Sequence, residues 1–253
     1  MTDPVEVTPQ GTRRAIMRDW VPEVPVALEY NGLSYAVMMA SPQDLEDFSI
    51  GFALSEGLAA SAAECTDIAI AEVDQGWIVR TALSGLGVER LTERVRTRVA
   101  ESSCGLCGIE NLAEVARALP PVASHPPIEP AAIFAALHAL PGHQPLSGKT
   151  GAAHAAAWVA EDGTIGCARE DVGRHNAMDK LIGAMARTGR TLSPGFILST
   201  ARCSYEIVEK AVRGGATTLV CVSLPTSMAV ERARGAGLSL WALARSDSVL
   251  QVC

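Results

Sequence analysis

The sequence predicts an α/β protein: a three-layer domain around a mixed sheet, with a smaller β-rich subdomain ahead of it. Three observations carry this. Two hairpin signatures flank one amphipathic helix in the first hundred residues, a proline-rich stretch runs from Pro120 to Pro130, and helices then alternate with short β-branched runs to the C-terminus. The first hairpin spans Val24 to Met39 and turns at Asn31-Gly32, a pair that accepts positive φ. Ser41-Pro42-Gln43-Asp44 opens a helix, with Ser41 as cap and Asp44 as the capping-box acid, and Leu45, Phe48 and Phe52 recur at helical spacing before Gly57. A second hairpin runs from Asp67 to Leu83 and turns at Asp74-Gln75-Gly76. Residues 84–103 alternate arginine with glutamate and suit either a helix or an exposed strand with a solvated face.

Beyond the prolines, a helix from about Pro130 to Leu140 precedes strand His154–Ala160, a turn at Asp162-Gly163 and strand Thr164–Glu170. Helix His175–Arg187, strand Phe196–Thr200, helix Ser204–Arg213, strand Thr217–Ser223, helix Thr226–Gly235 and strand Leu238–Ala244 follow. Gly189, Gly214 and Gly235 stand where helix C-caps are expected. The boundaries that result are 1–100 for the β-rich subdomain, 101–125 for a cysteine loop with its helix, and 126–253 for the α/β domain. The α-β-β-α-β-α-β order of the last part resembles the cytidine-deaminase fold.

With 253 residues, 48% of them hydrophobic and 19% charged, the chain can bury a substantial core. No run approaches the roughly 18 apolar residues of a membrane helix, so a membrane span is not expected. A net charge of −7 and only 4% aromatics disfavour general nucleic-acid binding. Seven scattered cysteines, with no secretion signal in the polar stretch Met1 to Arg18, point to the reducing cytoplasm.

The sharpest local signal is Ser102-Ser103-Cys104-Gly105-Leu106-Cys107-Gly108, ahead of an apolar stripe at helical spacing. A loop or first helical turn stabilises a thiolate there, because unpaired N–H groups and the positive end of the helix dipole face it. Three chemistries fit: dithiol–disulfide exchange, zinc binding with His154, His175 or a lone cysteine as further ligand, and sulfur relay through a persulfide. Exchange is the weakest, since no thioredoxin-like βαβ pattern precedes the pair. Zinc deaminase chemistry does not fit, because H-x-E should precede P-C-x-x-C and here the order is reversed, with no acid beside His154.

Other polar clusters fall at strand-to-helix junctions, where open α/β sheets place ligands. Arg169 to Asn176, continued by Asp179-Lys180, reads as a functional segment, Gly173 permitting close backbone approach. Thr200-Ala201-Arg202-Cys203-Ser204 offers Arg202 to an anion or, more simply, Ser204 as a helix cap. Ala244-Arg245-Ser246-Asp247-Ser248 follows the last strand with Arg245 as anion partner. Ser147-Gly148-Lys149-Thr150-Gly151 superficially looks like a phosphate loop without its upstream glycine. His125, His138 and His143 read as surface or linker residues.

Taken together, Ser41 to Asp47 through Ser55-Glu56-Gly57, Ser102 to Gly108, Arg169 to Lys180 and Pro225-Thr226-Ser227 closely resemble the formate dehydrogenase accessory sulfurtransferase (FdhD/NarQ) family, over about residues 12 to 250. The resemblance implies a deaminase-like fold used for sulfurtransferase activity. Sulfur from a cysteine desulfurase would pass to the molybdenum or tungsten bis-guanine-dinucleotide cofactor before its insertion into the formate dehydrogenase catalytic subunit. Cys104 would bear the persulfide and Cys107 would assist transfer, with no bound metal. The implied dinucleotide site takes in Leu243, Ala244, Arg245, Ser246, Asp247 and Ser248. Leu243 stands where an aromatic residue is usual in the family, and Arg202 is kept where the family commonly has a Ser-Gly-Arg-like run. Arg174, Arg202 and Arg245 would supply the local positive charge an acidic protein needs for an anionic pterin dinucleotide, and His175 is a further candidate contact. A homodimer is a further family expectation. The alternative is a non-catalytic zinc-binding scaffold or cofactor chaperone.

Overall fold

The computed structural model describes residues 4–87, 91 and 118–253. An N-terminal hairpin, β1 (Val5–Val7) and β2 (Arg13–Ala15), precedes a four-stranded sheet built from β3 (Val24–Tyr30), β4 (Leu33–Ala40), β5 (Cys65–Val73) and β6 (Gly76–Leu83). The order is β4-β3-β6-β5, with both expected hairpins antiparallel and β3 parallel to β6. Helix α1 (Leu45–Ser55) links the hairpins and lays Phe48, Phe52 and Ala53 onto the sheet's inner face, against Val26, Leu28, Tyr30 and Val79.

The second sheet has six strands: β7 (His154–Val159), β8 (Ile165–Asp171), β9 (Phe196–Ser199), β10 (Thr218–Cys221), β11 (Ser239–Ala242) and β12 (Leu250–Gln251), in the order β12-β11-β10-β9-β7-β8. β9, β10 and β11 are parallel, and β7 runs against its neighbours, so the sheet is mixed as expected. Helix α2 (Pro130–Ala139) shares one core with Phe196, Leu198, Val220 and Trp241. A short α3 (Pro145–Thr150) follows, unforeseen in the sequence. Helices α4 (Arg174–Arg187), α5 (Tyr205–Arg213) and α6 (Ser227–Ala236) share the other core with Ile197, Leu219 and Leu240. Among the described residues no helix is long and apolar enough to cross a membrane.

The two sheets are joined through α1 and α4, which touch at glycine. A Cβ on Gly51 would lie 1.7 Å from the Asp179 carbonyl oxygen, and one on Gly183 would lie 1.8 Å from that of Asp47. Only glycine allows this backbone approach. Around the crossing, Asp47 accepts from Arg169 and Arg187 at 2.8 Å each, and Asp179 accepts from Ser55 at 2.7 Å and Lys210 at 2.9 Å.

A third pin is completely buried. Lys180 Nζ sits 2.6 Å from Asp171 Oδ2 and donates to the Ser41 carbonyl, while Asp171 also accepts from Ser41 N, Gly173 N and Asn176 Nδ2. Removing one partner strands the other charge in low dielectric. Lys180→Met is therefore expected to lower stability by about 3–5 kcal/mol in a urea titration, and the Asp171→Asn/Lys180→Met double variant by less than the single one. A double-variant loss equal to the sum of the Lys180→Met and Asp171→Asn losses would show that the pair is not coupled.

Several ends differ from the sequence reading. Ser41 does not cap α1, because its hydroxyl donates to the Pro22 carbonyl and accepts from Val172 N. Asp44 takes the cap position itself at φ 53°, with no side-chain cap bond, and its carboxylate turns toward Arg169. Gly235 lies within α6, and Gly237 at φ 72° ends that helix. After α5, Gly214 holds the C-cap position but Gly215 supplies the positive φ.

Candidate anion site at the carboxyl end of the six-stranded sheet

Because β8, β9, β10 and β11 run in one direction, their carboxyl ends share one end of the sheet, and the antiparallel β7 brings its first residue there. His154 pairs with Asp171 in register, and Ala155 N donates to Thr200 Oγ1 at 2.8 Å. Arg174 and His175 start α4, Arg202 lies in the turn from β9 to α5, and Leu243 to Ser248 leave β11. The fold thus brings all these residues to the same end.

The cluster is electrostatically coherent. Burial pushes the His154 imidazole below its ordinary pKa, and the nearby Arg174 and Arg202 guanidiniums and His175 push it further down, against a small opposing effect of Asp171. His175 Nε2 stands 3.1 Å from Glu206 Oε2. That imidazole, together with Arg174 and Lys210, outweighs the burial of Glu206 and holds its carboxyl below the usual range. Among the described residues, Arg174 Nε and Ser204 Oγ are buried without a hydrogen-bond partner. Both stand at helix starts on this end of the sheet, where backbone N–H groups and the helix dipole suit an anion. Ser204 does occupy the N-cap of α5, but its hydroxyl makes no cap bond.

The segment after β11 is a tight turn. Leu243 takes φ 48° and donates its N–H to Ser223 O, and Arg245 N donates to Ser248 O at 2.8 Å. Arg245 Nη1 donates to Val222 O at 2.7 Å, which leaves its other donors for a ligand. Ala244 is buried, whereas Ser246, Asp247 and Ser248 are exposed, as are Leu243, Leu224 and Met228.

The long polar segment divides. Asp171, Asn176, Asp179 and Lys180, read from sequence as part of a functional face, are interior pins between the two sheets, and Arg174 and His175 are what they leave facing the site. The phosphate-loop lookalike is otherwise engaged, since Glu170 accepts from both Leu146 N and Ser147 N at 2.7 Å and its carboxylate takes the place an anion would need. Glu206 went unnoticed in the sequence, where a glutamate in the first turn of an amphipathic helix looks like solvated charge. The sequence offers His154 as one possible zinc ligand and as the histidine of an H-x-E motif that lacks its acid. Among the described residues no three metal-ligating side chains converge. Cys104 and Cys107 lie outside the described residues.

Residues 21–251 match the model of the FdhD/NarQ family. The sulfur carrier protein FdhD of Variovorax paradoxus is 44% identical over 234 residues, covering 92% of this chain and 84% of that one. Those of Cupriavidus necator and Chromobacterium violaceum are each 46% identical, over 89% and 92% of this chain and 78% and 88% of theirs. The crystal structure of a formate dehydrogenase accessory protein from Desulfotalea psychrophila superposes with a TM-score of 0.77 at 24% identity, over 100% of this chain and 95% of that one.

Proposed function

The chain belongs to the FdhD/NarQ family, and from that membership we propose that it is a sulfur carrier in formate dehydrogenase maturation. The Cys104 thiolate attacks the outer sulfur of a cysteine desulfurase persulfide. A new S–S bond forms as the donor's breaks, and the donor cysteine leaves as thiolate. The Cys107 thiolate then attacks the inner sulfur of the Cys104 persulfide, so that a Cys104–Cys107 disulfide forms as the outer sulfur leaves at the sulfide level for the molybdenum or tungsten bis-guanine-dinucleotide cofactor, which is substrate here, before insertion into the formate dehydrogenase catalytic subunit; a cellular thiol reduces the disulfide for the next round. The reaction suits the cytoplasm, where thiols stay reduced.

What supports an anionic dinucleotide as acceptor is the convergence of Arg174, His175 and Arg202, with Arg174 Nε lacking a partner among the described residues. Those groups suit a diphosphate, and the turn from Leu243 to Ser248 lies at the same sheet end for the nucleoside part. GDP is the accessible probe. Calorimetry is expected to show saturable binding, weakened about 10- to 100-fold by Arg174→Ala or Arg245→Ala, the range for loss of a charge-assisted hydrogen bond. A folded wild-type protein that releases no heat with GDP would refute the site.

A further inference from the structure

The anion site contains an anion of the protein's own. Glu206 stands on the first turn of α5, where exposed amides and the helix dipole favour negative charge, and its carboxylate reaches to 3.1 Å from His175 Nε2 on the first turn of α4. His175, and then Arg174 and Lys210, hold its carboxyl below the usual range, so it is charged at neutral pH. A phosphate bound at these two helix starts would meet the same groups. Carboxylate and ligand compete for one place.

The hold on Glu206 is one that a ligand can undo. Among the described residues His175 Nε2 is a buried nitrogen without a hydrogen-bond partner, so its contact with Glu206 is close but poorly aligned. The Glu206 side chain has no other hydrogen bond or ion pair among those residues, and it is 45% exposed, with room to swing outward. The other acids at this end are committed: Asp171 is buried against Lys180, and Asp247 accepts from Ser248 in the turn after β11. A contrast lies nearby on the same sheet. Glu170 also fills an anion's place, at the amides of Leu146 and Ser147, but it is buried and doubly bonded, whereas Glu206 is neither.

Resting on the anion-site reading above, we propose that Glu206 is an exchangeable counter-ion, which occupies the start of α4 while the site is empty, swings out when a diphosphate enters and returns as the diphosphate leaves. It tunes the site for release. Each entering anion must displace the carboxylate, a cost that a chloride or a single phosphate offsets poorly and a diphosphate with several contacts offsets better. A carrier has to give up its cargo, and a returning carboxylate opposes rebinding without any movement of the backbone.

Calorimetry with GDP tests this on the full chain. Glu206→Gln, isosteric and uncharged, is expected to bind GDP about five- to tenfold more tightly than the wild type, and Glu206→Ala should gain likewise. A folding defect would weaken binding, so a gain reports the lost charge. Glu161 is exposed in the turn between β7 and β8, at the opposite end of the sheet from His154, and Glu161→Gln should bind as the wild type does. A wild type that binds no GDP would remove the site and the proposal together. With wild-type binding intact, a gain in neither Glu206 variant, or an equal gain in Glu161→Gln, would overturn the proposal and leave the site standing.

Discussion

Cys104→Ala protein is expected to fold normally, take up no sulfane sulfur and leave formate dehydrogenase inactive in cells that depend on it. Incubation with a desulfurase and cysteine should add about 32 Da to the wild type and to Cys107→Ala, and nothing to Cys104→Ala, by intact mass. None of the other five cysteines replaces it, because all are poor acceptors. Burial pushes the Cys65 thiol up to about 11 and raises those of Cys167 and Cys253, while the Cys221 thiol is raised first by its hydrogen bond with Cys203 and then by burial, which keeps them protonated at neutral pH. Cys203 is held lower by its hydrogen bond with Cys221 but is fully buried, beyond a protein donor's reach. Wild-type enzyme activity with Cys104→Ala would end the relay reading, and one stoichiometric zinc lost with either cysteine would favour a zinc-bound scaffold instead.

Gly51→Ala is expected to be among the most damaging single methyl additions in the molecule. Alanine is the better helix former by about 1 kcal/mol, so propensity alone predicts a gain. The new methyl carbon would lie 1.7 Å from a carbonyl oxygen and 2.7 Å from the Gly183 nitrogen, both backbone atoms that no rotamer change can move. The helices must separate, loosening the ion pairs at Asp47 and Asp179 along with the contact itself. Overpacking at this scale outweighs propensity and costs about 3 kcal/mol or more, a drop of roughly 10 °C in Tm. Gly183→Ala should do the same from the other side, whereas Gly148→Ala, with open space around it, serves as the control. Equal melting temperatures for Gly51→Ala and the wild type would show that the crossing is looser than its distances indicate.

Local chemistry was enough to read much of this architecture. Asn31-Gly32 marks its hairpin, alternation after Pro130 marks the mixed sheet, and Arg174, Arg202 and Arg245 are legible as strand-to-helix or strand-exit residues. Pairing over long sequence separations was not legible. Ser41 looks like a helix cap until Asp171, Val172 and Lys180 engage it across 130 residues or more. A charged helix face such as Asp179-Lys180 has the composition of a solvated one, and only the neighbouring α1 and α5 make it interior. Gly51 and Gly183 read as weak points in helices, though they are where two helices meet. Glu170, 23 residues beyond Ser147, occupies the amides of the phosphate-loop lookalike, and nothing near that loop announces it. The β1–β2 ribbon has three-residue strands, too short for a period to register.

Helix α4 carries Arg174 and His175 on its first turn, and the residues immediately after them, Asn176, Asp179, Lys180 and Gly183, are locked into the other half of the molecule. The backbone that presents these two side chains is therefore ordered when the chain folds, long before any ligand arrives. Binding an anion there need not freeze a loop. The entropy left to lose is that of a few side-chain rotors, about 0.5–1.5 kcal/mol each, so the affinity of the site is set by charge and fit with little deduction for ordering.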